Sequence, residues 1–214
     1  MTPGFYGTRQ INTRGEHWIN VLGTDIWREI LYQTVEERNR RLTQKELAAK
    51  FGFSLSTVFN ALKIPRQIGA IKVTGRNFQI VDLEKFFYLW ATARNFKKDI
   101  IYQTRVEEPV LTIEGLMPPS IIFGAYSAYH LKFQEAPADY DRIYVYATDL
   151  EEIKKRFPAA SAKSYPNLVI LKADPFLKNY GQTTTLAQTF VDLWNLPEWY
   201  AKDFQEALKQ RILK

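Results

Sequence analysis

Apolar residues recur every three or four positions in two stretches of the first half of the chain, at residues 25–37 and 55–62. Residues 25–37 carry such a stripe, with Asp25 placed to cap the helix that the stripe predicts. Farther on, Thr43 and Glu46 have the spacing of a capping box, in which each side chain bonds the other residue's backbone N–H. This pattern predicts a short second helix that ends near Gly52.

A third helix is predicted to begin at Ser54, whose hydroxyl can cap it. Its expected apolar stripe consists of Leu55, Val58, Phe59 and Leu62. Proline lacks an amide hydrogen and its ring clashes with the preceding turn, so we expect Pro65 to stop or bend this helix near Ile64.

β-Branched and aromatic residues on both sides of a glycine turn predict a hairpin over residues 70–81. The turn covers residues 74–77, where Gly75 should have a positive φ. Asp82 can then cap a fourth helix with a broad apolar face. We place a domain boundary near residues 95–109.

Strands and helices alternate in the second half, which predicts a mixed α/β domain. Residues 99–106 are expected to form a linking strand, and further strands are predicted at 109–115, 142–147 and 167–173. The predicted helices cover 120–133, 150–157, 184–196 and 197–213, with Pro197 in the first turn of the last one.

Composition excludes several classes of function. The chain has no cysteine, so disulfides, zinc–thiolate sites and thiol catalysis are excluded. No P-loop, GxGxxG or HExxH motif occurs, and we expect no cofactor and no metal. No run approaches the roughly 20 apolar residues of a membrane span, and no signal-peptide pattern is present, so we expect a cytoplasmic protein without a membrane partner.

The basic charge lies in the first half of the chain. Residues 1–98 contain 16 Lys and Arg against 8 Asp and Glu, a net +8, whereas residues 99–214 contain 13 against 15, a net −2. Lys and Arg contacts with phosphates drive affinity for nucleic acids, so this distribution favours a polyanion-binding first domain. An ordinary solvated basic surface is the alternative.

The segment RRLTQKELAAKFGFSLSTVFNALKIPRQIGAIKVTGRNFQIVD resembles the winged helix-turn-helix family, over roughly residues 24–95. The resemblance implies a domain that binds double-stranded DNA, with the third helix in the major groove and the hairpin as a wing. The expected fold class is α+β, with a winged helix-turn-helix domain and amino-terminal arm at 1–98 and a small mixed α/β domain at 99–214. Pro65 departs from the family's pattern, in which this helix is uninterrupted.

Polar and basic residues of this segment are the candidate DNA contacts. We expect Ser56, Thr57 and Asn60 at base edges, because Asn pairs bidentately with adenine and Ser or Thr can bond either partner. Arg76 in the hairpin is the strongest candidate for a backbone or minor-groove contact. The full set is Gln44, Lys45, Ser54, Ser56, Thr57, Asn60, Lys63, Arg66, Lys72, Arg76 and Asn77. The arm can add contacts through Arg9, Arg14 and His17.

In the second half, SIIFGAYSAYHLKF, DRIYVYATDL and TTLAQTFVDLWNL resemble the carboxy-terminal module of AbiEi-type transcriptional regulators, the antitoxins of type IV toxin–antitoxin systems. In that family a later helix carries an aspartate followed by a leucine, the positions of Asp192 and Leu193. The resemblance implies an autorepressor that is not an enzyme and that has a cognate toxin protein as a possible partner.

Two alternatives stay open. The first is a protein-interaction module that uses the winged helix as a docking surface. The second is a Mg²⁺-dependent nucleotidyltransferase-like enzyme, in which two acids at the start of a strand hold the metal. Its candidate residues are Gly124, Ser127, Asp139, Asp141 and Asp174. Against it, Asp139 and Asp141 also fit a simple turn after Pro137.

Aromatic residues are concentrated near the end of the chain, at Phe190, Trp194, Trp199, Tyr200 and Phe204. Their helical spacing predicts that most of them belong to the core. An exposed subset can form the seam of a homodimer, which would suit a DNA site with two half-sites.

Overall fold

Helices and two small β-sheets make up the α+β fold of this chain. The computed structural model describes residues 14–75, 77–160 and 164–213. Within them the helices are α1 (Arg14–Val35), α2 (Gln44–Phe51), α3 (Leu55–Gln67), α4 (Leu83–Ala93), α5 (Val110–Gly115), α6 (Ala125–Phe133), α7 (Glu151–Arg156), α8 (Leu186–Trp194) and α9 (Ala201–Ile212). The strands are β1 (Arg41–Thr43), β2 (Ile71–Thr74), β3 (Asn77–Ile80), β4 (Ile100–Thr104), β5 (Ile122–Phe123), β6 (Ile143–Ala147) and β7 (Leu168–Lys172).

The first sheet is antiparallel, in the order β1-β3-β2. The predicted hairpin is confirmed, because Thr74 pairs with Asn77 across a two-residue loop and Gly75 has φ +62°. Strand β1 was not predicted. The second sheet has the order β4-β7-β6-β5, with β6 and β7 parallel and both edge strands antiparallel to their neighbours.

Side-chain caps begin helices α2, α3 and α4, as predicted. Thr43 and Glu46 form the full capping box of α2, which ends at Gly52 in the left-handed conformation. The Ser54 hydroxyl accepts a hydrogen bond from the amide of Thr57, and Asp82 caps α4 in the same way.

Helix α1 begins much earlier than predicted, at Arg14 rather than Asp25. Asp25 is therefore not a cap; its side chain is buried in the middle of the helix. Arg14 and His17, expected in an amino-terminal arm, belong to α1, while Arg9 lies outside the described residues. The predicted start was wrong because the polar Asp25 was interpreted as a boundary, whereas it lies inside the helix beside Arg28 and Asp174.

Pro65 does not stop α3, which continues to Gln67. A proline at this position removes the amide that would bond the carbonyl of Ala61. The indole Nε1 of Trp27 in α1 donates to that carbonyl instead, over 2.8 Å. Because the orphaned carbonyl is satisfied, the helix passes through the proline, and the predicted stop near Ile64 was wrong.

One element type and two helix starts in the second half also differ from the predictions. The stretch predicted as a strand at 109–115 is helix α5, whose Ile113 is fully buried. The next helix begins at Ala125 rather than Ser120, after the short strand β5. The last helix begins at Ala201, so Pro197 precedes it instead of occupying its first turn. Tertiary packing outweighs local propensity at these ends.

A continuous cluster of buried side chains joins the two halves of the chain, from Ile26 in α1 to Ile212 in α9. Helix α8 lies at its centre, since it packs against α1, α4, α6 and α9. A smaller cluster lies between the second sheet and helices α5 and α7. None of the helices in the described ranges is long and apolar enough to cross a membrane.

Candidate nucleic-acid interface

Helix α3 packs on α1 and α2 through one face and exposes the other. Its buried residues are Val58, Leu62 and Pro65. The candidate base contacts Ser56 and Asn60, four positions apart, are exposed on the outward side. The same side carries Lys63 and Arg66, which are also exposed. The structure therefore brings most of the candidate residues of this helix to one accessible surface.

The hydroxyls at the start of α3 form a cluster. Ser54 Oγ lies 2.8 Å from Ser56 Oγ and 2.9 Å from Thr57 Oγ1, in addition to capping the helix. Thr57 is half-buried, whereas Ser56 is exposed. Of the three hydroxyls, that of Ser56 is thus the best placed to contact an external ligand.

Half of the predicted apolar stripe of α3 faces outward. Leu55 is 57% exposed and Phe59 is 48% exposed, so only Val58 and Leu62 of the predicted stripe are buried. Pro65 lies on the buried face beside Val58 and Leu62, which was not predicted. The Lys63 ammonium lies 5.5 Å from the centroid of the Phe59 ring, within range of a cation–π contact.

The outward face of the first sheet carries polar cross-strand rows. Arg41, Gln79 and Lys72 lie in one row, and Thr43, Asn77 and Thr74 lie in the next. Alternate residues such as Leu42, Ile71 and Phe78 are buried on the other face. The candidates Lys72 and Asn77 therefore share the outward face of one sheet, and both are exposed.

Two further candidates lie at the start of α2, where Gln44 is half-buried and Lys45 is exposed. They are the first two residues after Thr43, so the sheet row that contains Asn77 leads into this helix. Arg76, at the hairpin tip, lies outside the described residues.

A group of arginines between α1 and α2 was not predicted as part of the interface. Arg38, Arg40 and Arg41 are all exposed, and Arg38 has φ +60°. The run of three arginines within four residues was the available signal. In the described ranges, no ion pair involves these arginines or any of the basic candidates Lys45, Lys63, Arg66 and Lys72.

Helix α1, which supports α3, is anchored by a buried ionic cluster. Arg28 donates to both carboxylate oxygens of Asp174, at 3.1 and 2.6 Å, and its Nε donates to Gln188 at 2.7 Å. Asp25 lies 3.5 Å from the same guanidinium. Burial, together with the negative charge of Asp174, raises the pKa of the Asp25 carboxyl to about 7 against the opposing charge of Arg28.

A second set of contacts joins α1 to the carboxy-terminal half and to α2. Tyr180 donates to Glu29 at 2.7 Å, and Lys50 of α2 pairs with the same carboxylate at 2.6 Å. Glu36 accepts from Lys132 at 3.1 Å and from the amide of Leu186 at 2.8 Å. These bonds place α1 between the candidate interface and the second half of the chain.

Asp192, one of the two residues named by the AbiEi resemblance, is fully buried in α8. Tyr146 donates to it at 2.7 Å, and Arg94 Nε lies 3.2 Å from its other oxygen, an ion pair without hydrogen-bond geometry. Burial raises the pKa of Asp192 to about 6, while the charge of Arg94 and the Tyr146 hydrogen bond lower it. The neighbouring Leu193 is also buried.

The acids of the enzyme alternative have separate partners. Asp174 pairs with Arg28, Asp141 accepts a 2.5 Å hydrogen bond from Tyr200, and Asp139 is exposed. Across the residues that the structure describes, no three His, Cys, Asp or Glu side chains are grouped to hold a metal ion. Ser127 is fully buried, and a Cβ on Gly124 would lie 2.9 Å from Tyr146 Cε2, which gives that glycine a packing role.

The carboxy-terminal aromatics divide as predicted into a buried majority and an exposed subset. Phe190, Tyr200 and Phe204 are buried, whereas Trp194 and Trp199 are exposed.

Comparison with known proteins adds no assignment: no protein-family model, curated protein or solved structure matches this chain.

Proposed function

We propose that this chain is a transcriptional regulator that binds double-stranded DNA through α2, α3 and the β2–β3 hairpin. The order α1-β1-α2-α3-β2-β3, with the sheet order β1-β3-β2, supports a winged helix-turn-helix assignment. In this arrangement α3 occupies the major groove and the hairpin lies against the backbone or the adjacent minor groove.

The proposal rests on basic charge around α3 that has no carboxylate partner among the residues that the structure describes. Arg38, Arg40 and Arg41 precede α2, and the exposed candidates Lys45, Lys63, Arg66 and Lys72 surround the polar face of α3. Exposed cations without carboxylate partners favour a polyanion, because each phosphate contact releases a bound counterion. The polar centre of this surface, with Ser56 and Asn60, supplies groups that can bond base edges.

The resemblance of the second half to AbiEi-type regulators supports a narrower proposal. In it the chain represses its own operon and binds a cognate toxin protein. Exposed Trp194 and Trp199 are the surface that a homodimer of such a regulator would use.

Fluorescence anisotropy with labelled duplexes tests the proposal. One duplex comes from directly upstream of the chain's own gene and one is scrambled, and both are titrated across a salt series. We expect affinity to fall steeply with salt and the upstream duplex to bind more tightly. Equal binding of both duplexes would contradict autorepression, and no binding at low salt would contradict DNA binding itself.

Two substitutions separate the expected roles. Arg66→Ala should weaken binding to every duplex and reduce the salt slope by about one, as for a phosphate contact. Asn60→Ala should change the sequence preference by about 1–3 kcal/mol at one base pair. Lys202→Ala is the matched control, because Lys202 is an exposed lysine on α9 that pairs with Glu206.

The protein-docking alternative is favoured by one observation, the outward position of Leu55 and Phe59. Exposed apolar side chains on a helix are a common feature of protein interfaces. This alternative predicts no DNA affinity at low salt, so the same titration distinguishes the two functions.

A further inference from the structure

The outward apolar residues of α3 form a defined pair. Leu55 and Phe59 are four positions apart and therefore lie on the same side of the helix. Each is followed by an exposed polar candidate, Ser56 and Asn60 respectively, so the apolar pair and the polar pair run side by side along the first two turns. Their side chains are 57% and 48% exposed, although the helix has a separate buried face.

The surroundings of this pair favour one kind of occupant. Lys63 lies against the Phe59 ring, and Arg66 is exposed one turn farther along. An apolar strip bordered by exposed cations is complementary to the major groove, whose rims are anionic phosphates. The apolar group on the base edges of that groove is the 5-methyl group of thymine, which Phe and similar side chains contact.

We propose that Leu55 and Phe59 contact thymine methyl groups, beside an adenine bonded by Asn60, so that the α3 surface selects a site centred on A·T pairs. The inference rests on the proposed DNA binding and adds the base composition of the target. The polar and the apolar strips then have the same specificity, since adenine N6 and N7 and the thymine methyl identify A·T pairs in the major groove.

The test removes the methyl groups from the DNA rather than changing the protein. Duplexes that bind the full chain are selected from a random pool, and each thymine of the tightest duplex is replaced in turn by deoxyuridine. This change leaves base pairing and hydrogen-bonding edges intact. We expect affinity to fall about fourfold at one or two thymines, the value for one buried methyl-sized group.

Protein variants then assign the effect to the helix. Each of the variants Phe59→Ala and Leu55→Ala should lose the deoxyuridine penalty, that is, the drop in affinity on replacing thymine by deoxyuridine, at one of the responsive thymines. Ile68→Ala is the matched control, since Ile68 is a partly exposed apolar residue at the far end of α3, and the penalty should persist in it. Persistence of the full penalty in both Phe59→Ala and Leu55→Ala would overturn the assignment.

The remaining outcomes are distinct. If selected duplexes bind tightly and no thymine responds to deoxyuridine, the inference is wrong while the proposed DNA binding stands. If no duplex is selected even at low salt, the proposed function fails and the inference fails with it.

Discussion

The indole Nε1 of Trp27 donates a 2.8 Å hydrogen bond to the carbonyl oxygen of Ala61. This is the carbonyl that an uninterrupted helix would bond to the amide of residue 65, which is a proline. Helix α1 thus supplies the donor that α3 lacks. The bond both preserves the helix and holds it against α1.

Trp27→Phe tests this relationship. The substitution removes the N–H and leaves a part-buried carbonyl unsatisfied, so the free energy of unfolding should fall by about 1–3 kcal/mol. In a Pro65→Ala background residue 65 again carries an amide that can bond Ala61, and the loss should be clearly smaller. Urea unfolding of the four proteins measures this double-mutant cycle. Equal losses in both backgrounds would contradict the compensation.

Removal of the Arg28 guanidinium should be among the most destabilising single changes. Arg28→Met leaves the carboxylates of Asp25 and Asp174 without their cation, and breaking a buried pair in this way costs about 3–5 kcal/mol. Arg105→Met is the matched control, because Arg105 pairs with Glu107 at the surface. There the change in unfolding free energy should stay within about 1 kcal/mol. Similar decreases in unfolding free energy for the two variants would show that the buried cluster contributes no more to stability than a surface ion pair.

Stability should depend on pH through Asp25. Its pKa is about 7 in the folded protein against an ordinary value of 3.8, so the folded state keeps a proton that the unfolded chain has released. The resulting stabilisation is fully present below pH 3.8 and is lost as pH rises toward 7, at up to about 1.4 kcal/mol per pH unit. Asp25→Asn cannot titrate, so urea unfolding from pH 4 to 7 should show a shallower decline. An unchanged decline would exclude Asp25 as its source.

Gly124→Ala distinguishes packing from catalysis at that glycine. The new Cβ would lie 2.9 Å from Tyr146 Cε2 and 3.4 Å from the carbonyl oxygen of Tyr144. Overpacking of this kind costs about 1–3 kcal/mol, measured as a drop in unfolding free energy. The control Gly115→Ala meets no atom within 4 Å and should change stability little. A stable Gly124→Ala protein would remove the packing explanation.

Local signals were sufficient to predict the starts of α2, α3 and α4 and the hairpin of the first half. The caps at Thr43, Ser54 and Asp82 each involve a residue three positions away, so short sequence windows contain the whole interaction. The turn of the hairpin was likewise predicted from Gly75, which has the expected positive φ. These elements also position much of the candidate interface, which is why its residues could be named from the sequence.

The errors occurred where distant residues decide the outcome. Pro65 depends on Trp27, which is 38 positions away, and Asp25 on Asp174, which is 149 away. The outward position of Phe59 follows from which side of α3 meets α1, and a helical stripe that contains Leu55, Val58 and Leu62 cannot specify that side. Strand β1 was not predicted, and it places Arg41 in the same cross-strand row as Lys72.

The bonds that α1 makes with the carboxy-terminal half limit how this protein can be dissected. A fragment that ended at residue 98 would leave Arg28 without Asp174, Glu29 without Tyr180 and Glu36 without Lys132. It would also expose the Phe87 ring, whose centroid lies 5.0 Å from that of Phe190. The candidate interface therefore depends on the second half of the chain for its support. Moving it onto another protein would require moving α8 and its neighbours as well.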